Sequence, residues 1–271
     1  MKLIRHITDL NKAIKNNQNL GFVPTMGGLH KDHESLIKKS LKKCDKTLVS
    51  IFVNPKQFNS SLDYKSYPRN LNKDIRILKK LKVDFVFMPS VNEIYSYKKN
   101  PKFKLNKTDK ILCAKFRKGH FEGVLDIMNR FIDLIMPKYI FMGEKDFQQL
   151  FLVKKYFKKK YNSKIVMCST IRDKNKVALS SRNYLLDVKD LNIAGFISKI
   201  LIKFKIKLRN NKKKNNLLVK NIKKEIVEKY KVKIDYLEVR NVTNLKTNLK
   251  NKRYKIFIAY FLNKIRLIDN F

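Results

Sequence analysis

Leu20-Gly21-Phe22-Val23-Pro24-Thr25-Met26-Gly27-Gly28-Leu29-His30-Lys31-Asp32-His33 is the stretch from which the fold is read. It opens with a short apolar run, the mark of a buried strand, and Thr25-Met26-Gly27-Gly28 ends that strand in a tight loop. From about Asp32 to Lys43, Leu36, Ile37 and Leu41 fall at helical spacing. A strand that turns through glycines into a helix lets backbone approach a ligand and offers free N–H groups to an anion. His30 and His33 are three residues apart, so both imidazoles can share one side of the first turn. The chain has 4 histidines and two lie in this loop, which favours a site over two surface or capping residues.

The same rhythm repeats outward. Strands are expected at Thr47–Val53, Asp84–Met88, Tyr139–Met142 and Lys164–Cys168, and helices at Leu71–Leu81, Phe121–Met136 and Asp146–Phe157. Alternation of this kind predicts a parallel sheet covered on both faces, an α/β fold of Rossmann-like type. After about Asn175 the character changes. Residues 188–230 read as helical, and Ile234–Arg240, Lys255–Leu262 and Ile265–Ile268 as strands. The expected division is a Rossmann-like domain over 1–175 and a smaller α+β lid domain over 176–271.

Composition narrows the classes. Of the 271 residues 44% are hydrophobic, enough for a core, and 7 Gly with 6 Pro exclude collagen-like or linker-like chains. The 18 Phe and 12 Tyr argue against intrinsic disorder. No apolar run reaches the roughly 18 residues that span a bilayer, and Met1–His6 holds no stretch long enough for a secretory signal. Cys44, Cys113 and Cys168 have neither disulfide-framework nor zinc spacing, so a reducing, cytoplasmic setting without membrane attachment is expected. The net charge of +41 invites a nucleic-acid reading. Its lysines, however, are spread along the chain among many Asn and Ile, as base-composition drift would leave them, and no specific nucleic-acid partner is expected. The Lys-rich stretch near Lys203–Lys214 reads as a solvated helix face.

Ligands of open parallel sheets bind beyond the carboxyl ends of the strands, where three further polar clusters fall. Asn54-Pro55-Lys56-Gln57-Phe58 follows the second strand and supplies amides that hold hydroxyl and carboxylate without added charge. Gly143-Glu144-Lys145-Asp146-Phe147-Gln148-Gln149 sits at another strand-to-helix junction. Lys145 there suits a phosphate, and Gln149 lies one helical turn beyond it. Leu179-Ser180-Ser181-Arg182-Asn183 reads either as a mobile phosphate clamp or as a helix N-cap followed by a surface arginine.

Taken in order, TMGGLHKDH, VSIFVNPKQF, YPRNLNKDI, KGHFEGV, GEKDFQQL and ALSSRNYL resemble the pantothenate synthetase (pantoate–β-alanine ligase) family. The matches run from about Gly21 to Leu185, resuming at Asp235–Arg240 and Arg266–Asn270. The His loop is also similar to the HxGH signature of the wider nucleotidylyl-transferase superfamily. The resemblance implies a cytoplasmic homodimeric enzyme that joins pantoate to β-alanine with ATP, through a pantoyl adenylate, releasing AMP and pyrophosphate. It further implies ATP contacts at Met26, Gly27, Gly28, Leu29, His30, Lys31, Asp32, His33, Gly143, Glu144, Lys145, Asp146, Ile171, Leu179, Ser180, Ser181 and Arg182. His33, His30 and Lys145 would be catalytic, with His33 as proton donor. Gln57, Gln149 and Asn54 would bind substrate, and magnesium would accompany ATP, with Asp74 either a metal contact or a helix-surface charge.

Two departures stand out. Asp32 replaces the family's usual Gly between the histidines, and either crowds ATP or points outward and caps the helix, the orientation expected here. Lys118 replaces a proline before Gly119-His120, where a dimer contact, a structural role and catalysis all remain open for His120. Competing readings are an adenylyltransferase for another acid or nucleotide, and a basic nucleic-acid binder that has lost its enzyme role.

Overall fold

The structure, a computed structural model, describes residues 1–97, 102–210, 215–247 and 253–271. It divides into two compact units, Met1–Thr170 and Ile171–Phe271.

In the first unit β1 (Lys2–Ile4) and α1 (Ile7–Ile14) precede β2 (Leu20–Thr25), α2 (Lys31–Lys43) and β3 (Lys46–Ile51). Short α3 (Ser61–Ser66), α4 (Leu71–Lys80), β4 (Phe85–Phe87), and short α5 (Val91–Ser96) and α6 (Cys113–Phe116) come next. The long α7 (His120–Ile135), β5 (Tyr139–Gly143), α8 (Phe147–Phe157) and β6 (Lys164–Cys168) complete it. All six strands are parallel, in the order β1-β4-β3-β2-β5-β6. Phe22, Val23, Leu48 and Val49 are fully buried, which is why β2 and β3 read as continuous apolar runs rather than alternating ones. The chain winds from β2 toward β3 on one side and from β5 toward β6 on the other. Their carboxyl ends therefore frame a crevice at the β2/β5 switch point.

β1 and α1 were not expected. β1 is an edge strand that buries only Ile4, so Lys2 and Leu3 leave no apolar signature, and its pairing with β4 is a backbone matter. The sheet's other strands lie where the sequence places them, within a few residues.

The second unit contains α9 (Val188–Asn210) and α10 (Asn215–Tyr230), two helices where one helical region was expected. β7 (Lys233–Asn241), β8 (Tyr254–Leu262) and β9 (Ile265–Asn270) form an antiparallel sheet in that order. Ala194, Ile197, Leu201 and Phe204 of α9 share a core with Ile256 and Ile258 of β8. Lys203 and Lys207 are exposed, as a solvated face requires. Within the basic stretches, 98–101 and 211–214 lie outside the described residues.

One close approach in the first unit fixes where α7 meets the turn after β3. A Cβ on Gly123 of α7 would stand 2.3 Å from the carbonyl oxygen of Lys56, so α7 reaches the Asn54–Gln57 turn only because this position is bare. Gly123→Ala is expected to destabilise the protein by about 1–3 kcal/mol, the usual cost of overpacking, measured by urea unfolding. Unchanged stability would contradict the contact.

Candidate active site

The loop after β2 is built from the backbone outward. Gly27 and Gly28 have φ of +79° and +62°, a left-handed region that strains other residues. A Cβ on Gly27 would also lie 2.9 Å from Asp74 Oδ2. Asp74, on α4, explains the loop's shape. Its Oδ2 accepts from the Gly28 amide at 2.9 Å and its Oδ1 from the Leu29 amide at 2.8 Å. Burial pushes this carboxyl up and the two amides hold it down, with the balance upward. Thr25 completes the brace: its hydroxyl donates to the Ser50 carbonyl at 2.6 Å and accepts from the Gly27 amide at 3.3 Å.

Asp74 is therefore no helix-surface charge, being 1% exposed, and both its oxygens hold the loop. Among the described residues no group of three or more His, Cys, Asp and Glu could form a cation cage. Asp74, with both oxygens on the loop amides, is not set up as a magnesium ligand.

His30 and His33 meet as the sequence spacing predicts, with ring centroids 4.1 Å apart. Desolvation, helped by the Lys145 charge, pushes His30 down to about 4. His33 is lowered well below the ordinary value by desolvation, by His30 and then by Lys145. Both imidazoles are thus neutral near pH 7. Each has a buried Nδ1 with no hydrogen-bond partner among the described residues. Lys145 lies in a 3-10 turn, Glu144–Asp146, at the end of β5, its side chain only 12% exposed and 3.3 Å from Asp146 Oδ2. Two neutral rings and one ammonium, on the ends of two adjacent parallel strands and with Asp146 beside the ammonium, make a poorly hydrated corner whose N–H groups can donate to an anion.

The expected outward orientation of Asp32 is overturned. The residue is 7% exposed, and its Oδ2 lies 3.5 Å from where a Cβ on Gly143 would project. Asp32 stands four residues before Leu36 and shares the buried face of α2, which directs its carboxylate at the strand ends. Of its neighbours in the loop, Met26 is half-buried, Leu29 buried and Lys31 exposed.

Gln57 lies on the other side of the loop, at the end of a 3-10 turn, Pro55–Gln57. Its Nε2 donates to Met26 Sδ at 2.7 Å and its Oε1 accepts from Asn54 at 3.3 Å. Asn54 differs from expectation. Its amide nitrogen also donates to the Gly123 carbonyl at 3.0 Å, and its oxygen accepts from the Lys56 amide at 3.2 Å and the Tyr95 hydroxyl at 2.6 Å. All four of its bonding positions are filled, so it fixes the turn instead of offering an amide to a ligand. Gln149 is half-buried and its side chain makes no hydrogen bond among the described residues, whereas the side chain of adjacent Gln148 donates to the Asp109 and Ile111 carbonyls. Beside Met26, a cavity of about 520 Å³ opens over the ends of β1, β3 and β4, bordered by Arg5, Arg69, Asp74 and Glu93.

In the second unit, Leu179 N donates to the Ile171 carbonyl at 3.0 Å. The Ser180 hydroxyl caps a 3-10 turn, Ser181–Leu185, through the Arg182 amide at 3.2 Å, with Ser181 buried and Arg182 half-buried.

This geometry can be set beside known proteins. The family model for pantoate-β-alanine ligase matches residues 2–271. The chain belongs to the pantoate–β-alanine ligase family. A ligase of this family, the pantothenate synthetase of Flavobacterium psychrophilum, is 40% identical over 97% of this chain and 95% of its own. That of Endomicrobium trichonymphae is 39% identical over 100% and 97%. The pantothenate synthetase structure from Thermus thermophilus superposes with a TM-score of 0.92 at 28% identity, covering 100% of this chain and 99% of that one. The Francisella tularensis pantoate-β-alanine ligase, described as complexed with β-γ ATP and β-alanine, gives 0.83 at 36% identity, covering 100% and 97%. The expected α/β fold, with its parallel sheet and small C-terminal α+β part, is the fold of these ligases.

Missed from sequence were the Asp74 brace and the Tyr95–Asn54 bond, both made across long separations that leave no local pattern.

The depressed histidines carry a consequence for stability. The unfolded chain takes up protons on His30 near the ordinary value of 6.5 and the folded chain only near 4, so stability is full above about pH 6.5 and falls as pH drops toward 4. Between pH 7 and pH 5 the loss from His30 is on the order of 2 kcal/mol, and His30→Gln should flatten the dependence in urea unfolding. An unaltered slope would contradict the buried neutral imidazole.

Proposed function

We propose that this chain condenses pantoate with β-alanine at the expense of ATP, through a pantoyl adenylate. The observation that carries the reading is the corner formed by His30, His33 and Lys145 beside the braced glycine loop. In the first step a pantoate carboxylate oxygen attacks the α-phosphorus of ATP. A P–O bond forms, the bond to the β-phosphate bridging oxygen breaks, and pyrophosphate leaves. Negative charge grows on phosphate oxygens throughout, so preorganised donors serve better than a strong base. Lys145 supplies a fixed positive charge, and His33 and His30 supply N–H groups in a site where water competes little. A bound triphosphate would in turn raise both imidazoles, because an adjacent anion favours their protonated forms.

Gln57 and Gln149 bind the pantoate hydroxyl and carboxylate. In the second step the β-alanine amine attacks the acyl carbon, forming the amide, shedding a proton and expelling AMP. Magnesium enters as part of the ATP substrate, and no step is assigned to a resident ion. Ile171, Leu179, Ser180, Ser181 and Arg182 stay as ATP contacts on the resemblance alone, as do homodimer formation and a cytoplasmic setting. The three cysteines are buried and none is in a disulfide, as a reducing compartment allows.

Single-turnover pyrophosphate release with ATP and pantoate tests the roles. His33→Ala is expected to slow adenylation by about 10²–10⁴-fold, the range for a positioned acid–base group. Lys145→Ala is expected to weaken ATP binding as well. Near-normal release in both would remove this corner from the mechanism. Asp32→Gly is expected to leave adenylation unchanged or faster, since the buried carboxylate adds repulsion beside Gly143; collapse would show that the carboxylate works in the reaction.

A further inference from the structure

We propose that His120 and Arg117 are positioning residues for Gln57, acting through its backbone carbonyl to aim its side-chain amide at the acid substrate. The inference rests on the assignment of Gln57 to pantoate.

Gln57 ends its 3-10 turn, where a carbonyl has no partner within the helix and must find one elsewhere. It finds His120. The imidazole Nδ1 stands 2.7 Å from the Gln57 carbonyl oxygen, and Nε2 stands 3.0 Å from Arg117 Nη1. A guanidinium only donates, so Nε2 must accept, and the single ring proton sits on Nδ1, from which it is given to Gln57. Arg117 Nη2 also reaches the same carbonyl at 3.4 Å. The tautomer, and with it the direction of the bond, is set by Arg117. His120 is 8% exposed, as is Gln57, so water offers the carbonyl little alternative.

The rest of the turn is held by other means. Asn54 grips its start and the Gln57 Oε1, and Gly123 lets α7 lie against Lys56. His120 opens that helix, one turn before Gly123. The peptide that carries the Gln57 carbonyl is held on its N–H side by the Phe58 amide, which donates to the Pro55 carbonyl at 3.2 Å, and on its oxygen side by His120. Without the oxygen-side bond the peptide would keep a single tether, and the side-chain amide could shift away from Met26. The loop that carries His30 and His33 is braced separately by Asp74, so binding of ATP should be little affected.

The experiment compares His120→Ala, His120→Asn and His120→Gln by steady-state kinetics, with thermal unfolding alongside. The asparagine amide nitrogen takes about the place of Nδ1 and still donates to Gln57, whereas glutamine reaches the place of Nε2 and leaves the carbonyl without its imidazole donor. His120→Ala is expected to raise KM for pantoate roughly tenfold, with KM for ATP within about twofold. Asparagine should restore KM for pantoate and glutamine should not. If the alanine variant fails to fold, the Asn and Gln pair decides. Equal changes in both KM values, or restoration by Gln and not by Asn, would overturn the proposal. Should the unsubstituted protein release no pyrophosphate with pantoate, the ligase reading fails at its source. Turnover by that protein with a uniform His120 series defeats this inference alone.

Discussion

One carboxylate holds the site together. Asp74 reaches from α4 to take two consecutive amides of the Gly27–Leu29 loop, and the loop has its shape because those amides meet a buried charged acceptor there. Left-handed glycines make the turn feasible, but the acceptor makes it the single favoured one, since an amide pair without a partner there would carry the full cost of desolvation. Everything functional on β2 hangs from this turn: Met26 faces Gln57 on one side, and His30 begins α2 on the other.

The electrostatics come from the same packing. A pair of imidazoles pressed to 4.1 Å cannot both be charged in the absence of an anion, and Lys145 makes that more costly. The corner therefore stores an affinity for negative charge as neutral rings, beside one permanent cation. A polyphosphate bound there, as proposed, would reverse the balance and link protonation to binding. In the proposed mechanism the corner on β2 and β5 serves the phosphates, while Gln57 after β3 and Gln149 on α8 take the small polar acid. The two geometries have separate braces, Asp74 for one and Asn54 with His120 for the other, and meet at the Gln57–Met26 bond.

The central strands were legible because burial on both faces writes itself as apolar runs, as in Leu20–Val23 and Tyr139–Met142. β1 was not, since it buries a single side chain. The His pair and Lys145 were visible from spacing at strand ends. Asp32 was misjudged although its signal was present: four residues before Leu36, it belongs to the buried stripe of α2, and the expectation of an outward cap set helix-terminus charge above helical period. Asp74 showed only as an acid near the site, because its partners lie 46 and 45 residues earlier in the chain. His120 was noticed, but the bond that gives it a role ends on a backbone carbonyl, which no side-chain pattern records. The +41 charge reflects 63 basic against 22 acidic residues. It describes the surface and its general attraction for polyanions, without bearing on the fold.

At the centre of the proposed mechanism, the corner would activate a carboxylic acid by adenylation before any amine is involved. Isotope exchange between labelled pyrophosphate and ATP tests that order most directly. The predicted result is exchange that needs pantoate and proceeds without β-alanine. Exchange that appears only when β-alanine is present, or that ignores pantoate, would contradict it.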